Sequence, residues 1–340
     1  MRKKKHLVLV IHGARADQPA LRDMIERVRA QGHRVEPRVT FEAGDAAEFA
    51  RAAAGRGADA VVAVGGDGTV NEVVHGLSGS DVPFGIIPVG TANDFARQVG
   101  IPLDPNEAAD VILERDPVRI DTAELNDRRY LNVSTGGVGA EATAETPLEA
   151  KEALGLLAYL VTGVKKLVEL SPRRAFFGGP GFEYRGDFLL FAVGNARMTG
   201  GGTLLTPRAT VTDGLLDLCI VEGMPRADFA RLVLRLRGGD HVGEAGVHYV
   251  QLPSVHIEAQ EAISVNVDGE SSDHFRLTYR VRPRDLQIHL TRLPGDEAPE
   301  PPRNSGGADV GGTTGRKIAG VRRAREDAAD RVAGGATDAA

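Results

Sequence analysis

Residues 61–74 read VVAVGGDGTVNEVV. Four apolar, mostly β-branched residues run into Gly65-Gly66-Asp67-Gly68-Thr69, and a new apolar period opens at Val70. The spacing predicts a strand handing over to a helix through a glycine turn. Such a turn lets a ligand approach bare backbone N–H groups at the positive end of a helix dipole, an arrangement suited to phosphate. It is not a Walker A loop, because no Gly-Lys-Ser/Thr follows, and Asn71 stands where G-x-G-x-x-G places its last glycine. Asp67 repels a phosphate unless Mg²⁺ lies between them or the carboxylate has a catalytic task. The plainer reading of the same residues is a tight turn in which Asp67 caps a helix.

The stretch sits in a regular alternation from residue 6 to about 115. LVLVI is followed by ALRDMIERVRAQG, RVEPRVTF by AAEFARAAAGRG, DAVVAV by VNEVVHGL, and FGIIPV by ANDFARQVG. Apolar runs alternating with helical periods predict βαβ units around a parallel sheet, whose ligands sit beyond the carboxyl ends of the strands. Thr40, the turn at 65–69 and GTAND at 90–94 all fall on that edge. The second loop repeats the first: a glycine, a hydroxyl, then Asn93 and Asp94 at a helix start. Two such loops on adjacent strand ends point to one site.

From about 118 to 293 the texture changes to short β-rich runs punctuated by Gly, Pro, Asn and Asp, the pattern of an antiparallel sandwich or barrel. Helical periods intrude at 148–170 and 226–237. Beyond Leu293 the chain has no aromatic residue and no leucine, so it predicts a disordered tail over 294–340. The expected organisation is an α/β nucleotide-binding domain over 1–122, a β-sandwich domain over 123–293, and the tail.

The 340 residues suit two domains, and the net charge of -6 argues against nucleic acid as the main partner. The one cysteine, Cys219, lies in the apolar run GLLDLCIV, which predicts a buried thiol and suits a reducing compartment. The run Leu7 to Ile11 is too short for a signal-peptide core of roughly 7–15 residues. LGLLAYLVTGVKKLVEL is broken by Lys165 and Lys166 and falls short of the roughly 20 residues that cross a bilayer.

GGDGTVNEVVHGL together with GIIPVGTANDFARQVGIP resembles the catalytic domain of diacylglycerol kinases, and more closely the bacterial YegS-like lipid kinases. The resemblance extends through VTFEAGDAAEFAR, VGNARMTGGG, TDGLLDLCIVEG and VNVDGE, over roughly residues 1–293. It implies an α/β nucleotide-binding domain followed by a β-sandwich domain, with ATP and lipid meeting in the cleft between them. The implied ATP site is lined by Thr40, by Gly65, Gly66, Asp67, Gly68, Thr69, Val70 and Asn71, and by Thr91. The implied general base for the lipid hydroxyl is Asp268 or Glu270 in VNVDGE, with Asp67 and Mg²⁺ assisting. Asp268-Gly269 is also a hairpin-turn sequence. A second, structural Mg²⁺ site is implied at Thr210, Asp213 and Leu215, where an Asp-Gly turn alone would look the same.

A lipid acceptor requires access to the bilayer without a span. The 148–170 helix beside Lys165 and Lys166 and the basic residues 2–5 are the candidates for transient peripheral contact. They compete with the reading of a packed helix and a solvated terminus. A cytoplasmic enzyme, peripheral at the inner membrane face, is the expected setting. Rival readings are a kinase of the same superfamily acting on NAD or another soluble acceptor, and a non-catalytic nucleotide- or lipid-binding module. PVGTANDFA favours the lipid kinase over the first, and the carboxylates at 67, 268 and 270 count against the second.

Overall fold

The structure is a computed structural model and describes residues 3–137, 171–267 and 270–291. The 148–170 segment, Asp268, the side chain of Glu270 and the tail from 294 lie outside the described residues. All described residues belong to one compact unit.

The first part alternates as the pattern requires: β1 (His6–Ile11), α1 (Pro19–Ala30), β2 (Arg34–Val39), α2 (Asp45–Gly55), β3 (Ala60–Gly65), α3 (Asp67–Gly76), β4 (Phe84–Pro88), α4 (Asp94–Gln98) and α5 (Pro105–Glu114). Its parallel strands run in the order β4-β3-β1-β2. β3 and β4 are buried at every residue, which is why both read as unbroken apolar runs. β2 is the edge. Pro37, opposite Leu9, has no N–H to give to a further strand, and Arg34, Glu36 and Arg38 tolerate water there. α3 begins at Asp67 rather than at Val70, because Gly66 is still extended at φ -95° and ψ -170°. The turn is therefore Gly65-Gly66 alone, and Asp67 occupies the first helical turn, where the dipole favours a carboxylate.

The second part contains β5 (Val118–Leu125), β6 (Arg128–Tyr130), β7 (Val133–Gly137), β8 (Arg173–Gly179), β9 (Phe182–Gly194), β10 (Leu216–Glu222), α6 (Arg226–Gly238), β11 (Val247–Leu252), β12 (Ser254–Val267) and β13 (Glu270–Ile288). Pairing among these strands is antiparallel. β7 and β8 each bridge β9 and β12, so the sheet curls on itself around Phe177, Phe188 and Phe191, whose rings meet edge to face. α6 covers an outer face through Phe229, Leu232, Val233 and Leu236, packed in one cluster with Cys219 and Val221. Cys219 is buried as expected.

The two parts share hydrogen-bonded sheet. Ile288 of β13 pairs in parallel with Phe84 of β4, and His289 N donates to Phe84 O at 2.9 Å. β5 leaves the first part and runs antiparallel to β13 from Val118 to Leu125. Asp121 and Thr122 lie within that strand on opposite faces, and Thr122 Oγ1 donates to Asp285 Oδ2 at 2.7 Å.

Candidate active site

Two bare backbones touch where β3 and β4 end. A Cβ added at Gly90 would stand 2.3 Å from Gly66 Cα, a contact that only glycine at 90 allows, while a Cβ at Gly66 would lie 3.3 Å from Gly90 Cα. Asn93 holds the second loop: its Oδ1 accepts from Gly90 N at 3.1 Å and its Nδ2 donates to Gly90 O at 2.8 Å. Asn93 takes the left-handed conformation, φ 51°, which asparagine tolerates better than most residues. The two loops thus form one surface at the start of α3, whose first-turn N–H groups have no acceptor within the helix.

Asp67 joins the loops through its side chain. Its Oδ2 accepts from Asp94 N at 3.0 Å and its Oδ1 from Phe95 N at 3.1 Å, so it caps α4. Asn132 Nδ2, from the second part, reaches Oδ1 at 3.3 Å. The capping role exists, but on the neighbouring helix rather than on α3 itself.

Asp94, beside it, was not singled out as a site residue in the sequence. It is 3% exposed; its Oδ2 accepts from Gly201 N at 3.0 Å, and its Oδ1 is buried without a partner among the described residues. Burial, and then the Asp67 charge, raise its pKa to about 6, against the Gly201 and Gly202 N–H groups, which lower it. The only hint in the sequence was an Asn-Asp pair at a helix start together with a distant run of three glycines. Folding raises this pKa, so the stabilising protonated form is complete below about pH 4 and is lost as pH rises through about 6. In chelator-treated buffer, Asp94→Asn should therefore gain stability relative to wild type as pH climbs from about 4 to about 7. Denaturant titration checks this; a difference that does not change with pH contradicts it.

A polar chain ties this centre to the second part. Gln98 Nε2 donates to Asn132 Oδ1 and Arg197 N to Gln98 Oε1, both at 2.9 Å. Asn195 Nδ2 donates to Asp121 O at 3.2 Å and to Leu131 O at 3.0 Å. Asp121, buried, takes Gly214 N on Oδ2 and Arg284 N on Oδ1, both at 2.7 Å. On the same turn Leu215 N donates to Asp213 Oδ1 at 3.1 Å. Burial raises the pKa of Asp213 and Asp121 adds to the rise, while the Thr210 hydroxyl and Leu215 N–H oppose it. Thr210, Asp213 and Leu215 are thus brought together, with Asp121 as an unforeseen neighbour.

Other candidates fall in distinct places. Thr40 follows β2 on the carboxyl edge, and its Oγ1 accepts from Gly13 N at 3.3 Å. Thr91 is exposed on the second loop. Val70 points into the core, and Asn71, 3% exposed, turns inward so that its Oδ1 accepts from Leu131 N at 3.2 Å. Asn71 therefore braces α3 against the second part. Glu270 opens β13 opposite Val267. Lys3 pairs with Asp59 at 3.0 Å and Lys5 Nζ donates to Ile112 O at 2.6 Å. These lysines precede β1, at the strand end opposite the glycine loops, so a bilayer contact through them would face away from the site.

Two oxygen-rich sets fit Mg²⁺, a hard cation. One is Asp94, with its unpartnered Oδ1 beside the Asp67 charge; the other is the Asp213 turn, where the Asp121 carboxylate lies close and the Thr210 hydroxyl bonds Asp213. Among the described residues there is no cluster of three or more His, Cys, Asp and Glu side chains for a metal. Any Mg²⁺ here relies on backbone, hydroxyl or phosphate oxygens as well.

The diacylglycerol kinase catalytic domain model matches residues 6–125, and the YegS C-terminal NAD kinase beta sandwich-like domain model matches residues 133–290. A probable lipid kinase YegS-like of Pseudomonas aeruginosa is 39% identical over 289 residues, 84% of this chain and 95% of that protein. A probable lipid kinase YegS-like of Cronobacter sakazakii is 39% identical over 297 residues, 85% of this chain and 96% of that protein. A solved structure of a putative diacylglycerol kinase from Bacillus anthracis superposes with TM-score 0.72 at 25% identity, covering 86% of this chain and 99% of that one. The chain belongs to the YegS-like lipid kinases of the diacylglycerol kinase catalytic-domain family.

Proposed function

We propose that this kinase transfers the γ-phosphoryl group of ATP to a hydroxyl of a membrane lipid of the phosphatidylglycerol or diacylglycerol kind, with Mg²⁺ as cofactor. The observation that carries the reading is the contact of Gly66 with Gly90. It makes one backbone cradle at the start of α3 with Asp67 and Asp94 beside it, on the edge that also bears Thr40 and Thr91.

In the proposed reaction the lipid hydroxyl oxygen forms a bond to the γ-phosphorus as the bond from that phosphorus to the β,γ-bridging oxygen breaks. ADP leaves, and the hydroxyl proton passes to Asp268 or Glu270. Bound Mg²⁺ supplies charge neutralisation at the phosphate oxygens. The chain's own part is positioning. The glycine loops admit the phosphates, Asp67 locks α4 and its loop in place, and Asn132 joins that lock to the second part. The Asp213 turn is the proposed seat of a structural Mg²⁺, held by its carboxylate with the carbonyls of Thr210 and Leu215.

Among the described residues no helix is long and apolar enough to cross a membrane. The reading gives transient contact with the bilayer surface as the route to the acceptor and sets the enzyme in the cytoplasm, at the inner face. The proposal is tested by single Asp268→Asn and Glu270→Gln variants in mixed lipid micelles. The variant that removes the base should lose roughly 10²- to 10⁴-fold in turnover while binding ADP as wild type does. Full turnover in both variants would overturn the assignment of the base.

A further inference from the structure

Phe41 is the most exposed large apolar residue of the described chain, at 92%, yet the loop that carries it is pinned. Phe41 N and Glu42 N donate to Asp45 Oδ2 at 2.8 and 3.1 Å. Gly44 N and Ala46 N donate to Glu72 Oε2 at 3.1 and 3.3 Å. The backbone bonds at Phe41 and Glu42 hold the Asp45 carboxyl below the usual carboxylate range. Single exposed apolar side chains are common and need no explanation, but a flexible loop would let such a ring fold back. Here four N–H groups fix the backbone that presents it.

The place matters as much as the exposure. Thr40 N donates to Ile11 O at 2.9 Å, so Phe41 stands one residue past the end of the parallel pairing, on the carboxyl edge. The loop after β1 closes against it: a Cβ at Gly13 would lie 2.4 Å from Thr40 O. Glu72, which ties the loop down, belongs to α3, the helix whose start forms the phosphate cradle. Leu103, Leu234 and Phe275 are also exposed, but none adjoins a residue of the proposed nucleotide edge.

We propose that Phe41 is the base platform of the nucleotide site, its ring stacking on the purine of ATP while the start of α3 receives the phosphates. The inference deepens the ATP reading and rests on it. An aromatic face suits this task because every purine offers a π-face to it. The Glu72 bonds keep platform and cradle in fixed register, so base and phosphates are read by one rigid unit.

The chain has no tryptophan, so Phe41→Trp introduces a single indole reporter at the platform. The experiment measures equilibrium binding of ATP and of inorganic tripolyphosphate, with Mg²⁺, to wild type, Phe41→Ala and Phe41→Trp. Phe41→Ala should lose roughly 5- to 100-fold in ATP affinity, the range for removing one stacked aromatic, and keep its tripolyphosphate affinity and melting temperature. Phe41→Trp should retain ATP affinity and change its fluorescence with ATP but not with tripolyphosphate. Tight ATP binding by wild type with equal binding by Phe41→Ala overturns the platform alone. Equal ATP binding with lost sedimentation on lipid vesicles assigns the ring to the bilayer and overturns it too. No ATP binding by wild type overturns the nucleotide reading and the platform with it.

Discussion

Asp67→Asn is expected to lower phosphoryl transfer by at least about a hundredfold and to cost about 1–3 kcal/mol of stability. Each carboxylate oxygen accepts a backbone N–H at the start of α4, and Oδ1 also takes Asn132. An amide keeps one acceptor and turns an N–H₂ group toward the other donor, so one helix-terminal N–H loses its partner. The second glycine loop precedes α4 directly, and the cradle loosens with it. The lost negative charge also removes a neighbour of Asp94 and, in the proposed site, of Mg²⁺. Turnover and denaturant unfolding measured on the same preparation check both effects; wild-type turnover with wild-type stability would contradict them.

Gly90→Ala should cost roughly 1–3 kcal/mol and reduce ATP affinity by more than about tenfold. The added Cβ would stand 2.3 Å from Gly66 Cα and 2.9 Å from Gly66 N, and backbone cannot move aside as the end of a side chain can. The loops must separate, which spreads the surface that the phosphates are proposed to occupy. Gly55→Ala is the matched control. A Cβ there meets nothing within 4 Å, inside a helix, so the change should be neutral or stabilising. Equal ATP affinity in Gly90→Ala and wild type would show that the contact of the loops does not shape the site.

The sequence reading succeeded where burial alone dictates pattern. β1, β3 and β4 lie inside a parallel sheet, so their runs are continuous and their order of alternation could be read directly. Both glycine loops fell on the carboxyl edge because topology puts every βα turn there. Failures came where long-range pairing decides. Arg173 to Gly179 shows no alternation strong enough to announce β8, which forms because β9 and β12 offer it edges. Pro253 alone separates β11 from β12, while β13 runs on through Arg284. Asp121 and Asn132 escaped notice for the same reason, and Asp94, placed on the second loop by its sequence, did not show there its burial against Gly201. Asp121 reads as one polar residue inside a strand, and its meaning appears only when Gly214 and Arg284 arrive from elsewhere in the chain. Nor does the sequence of the nucleotide turn show that Asn71 Oδ1 accepts from Leu131 N.

Transfer from ATP to a lipid hydroxyl is measured by following labelled γ-phosphate with Mg²⁺ in separate reactions. These offer diacylglycerol, phosphatidylglycerol and a long-chain base in micelles, and NAD in solution. Label is expected in the diacylglycerol or phosphatidylglycerol reaction and none in NAD. Label in NAD alone, or in no acceptor while ATP binds, would contradict it.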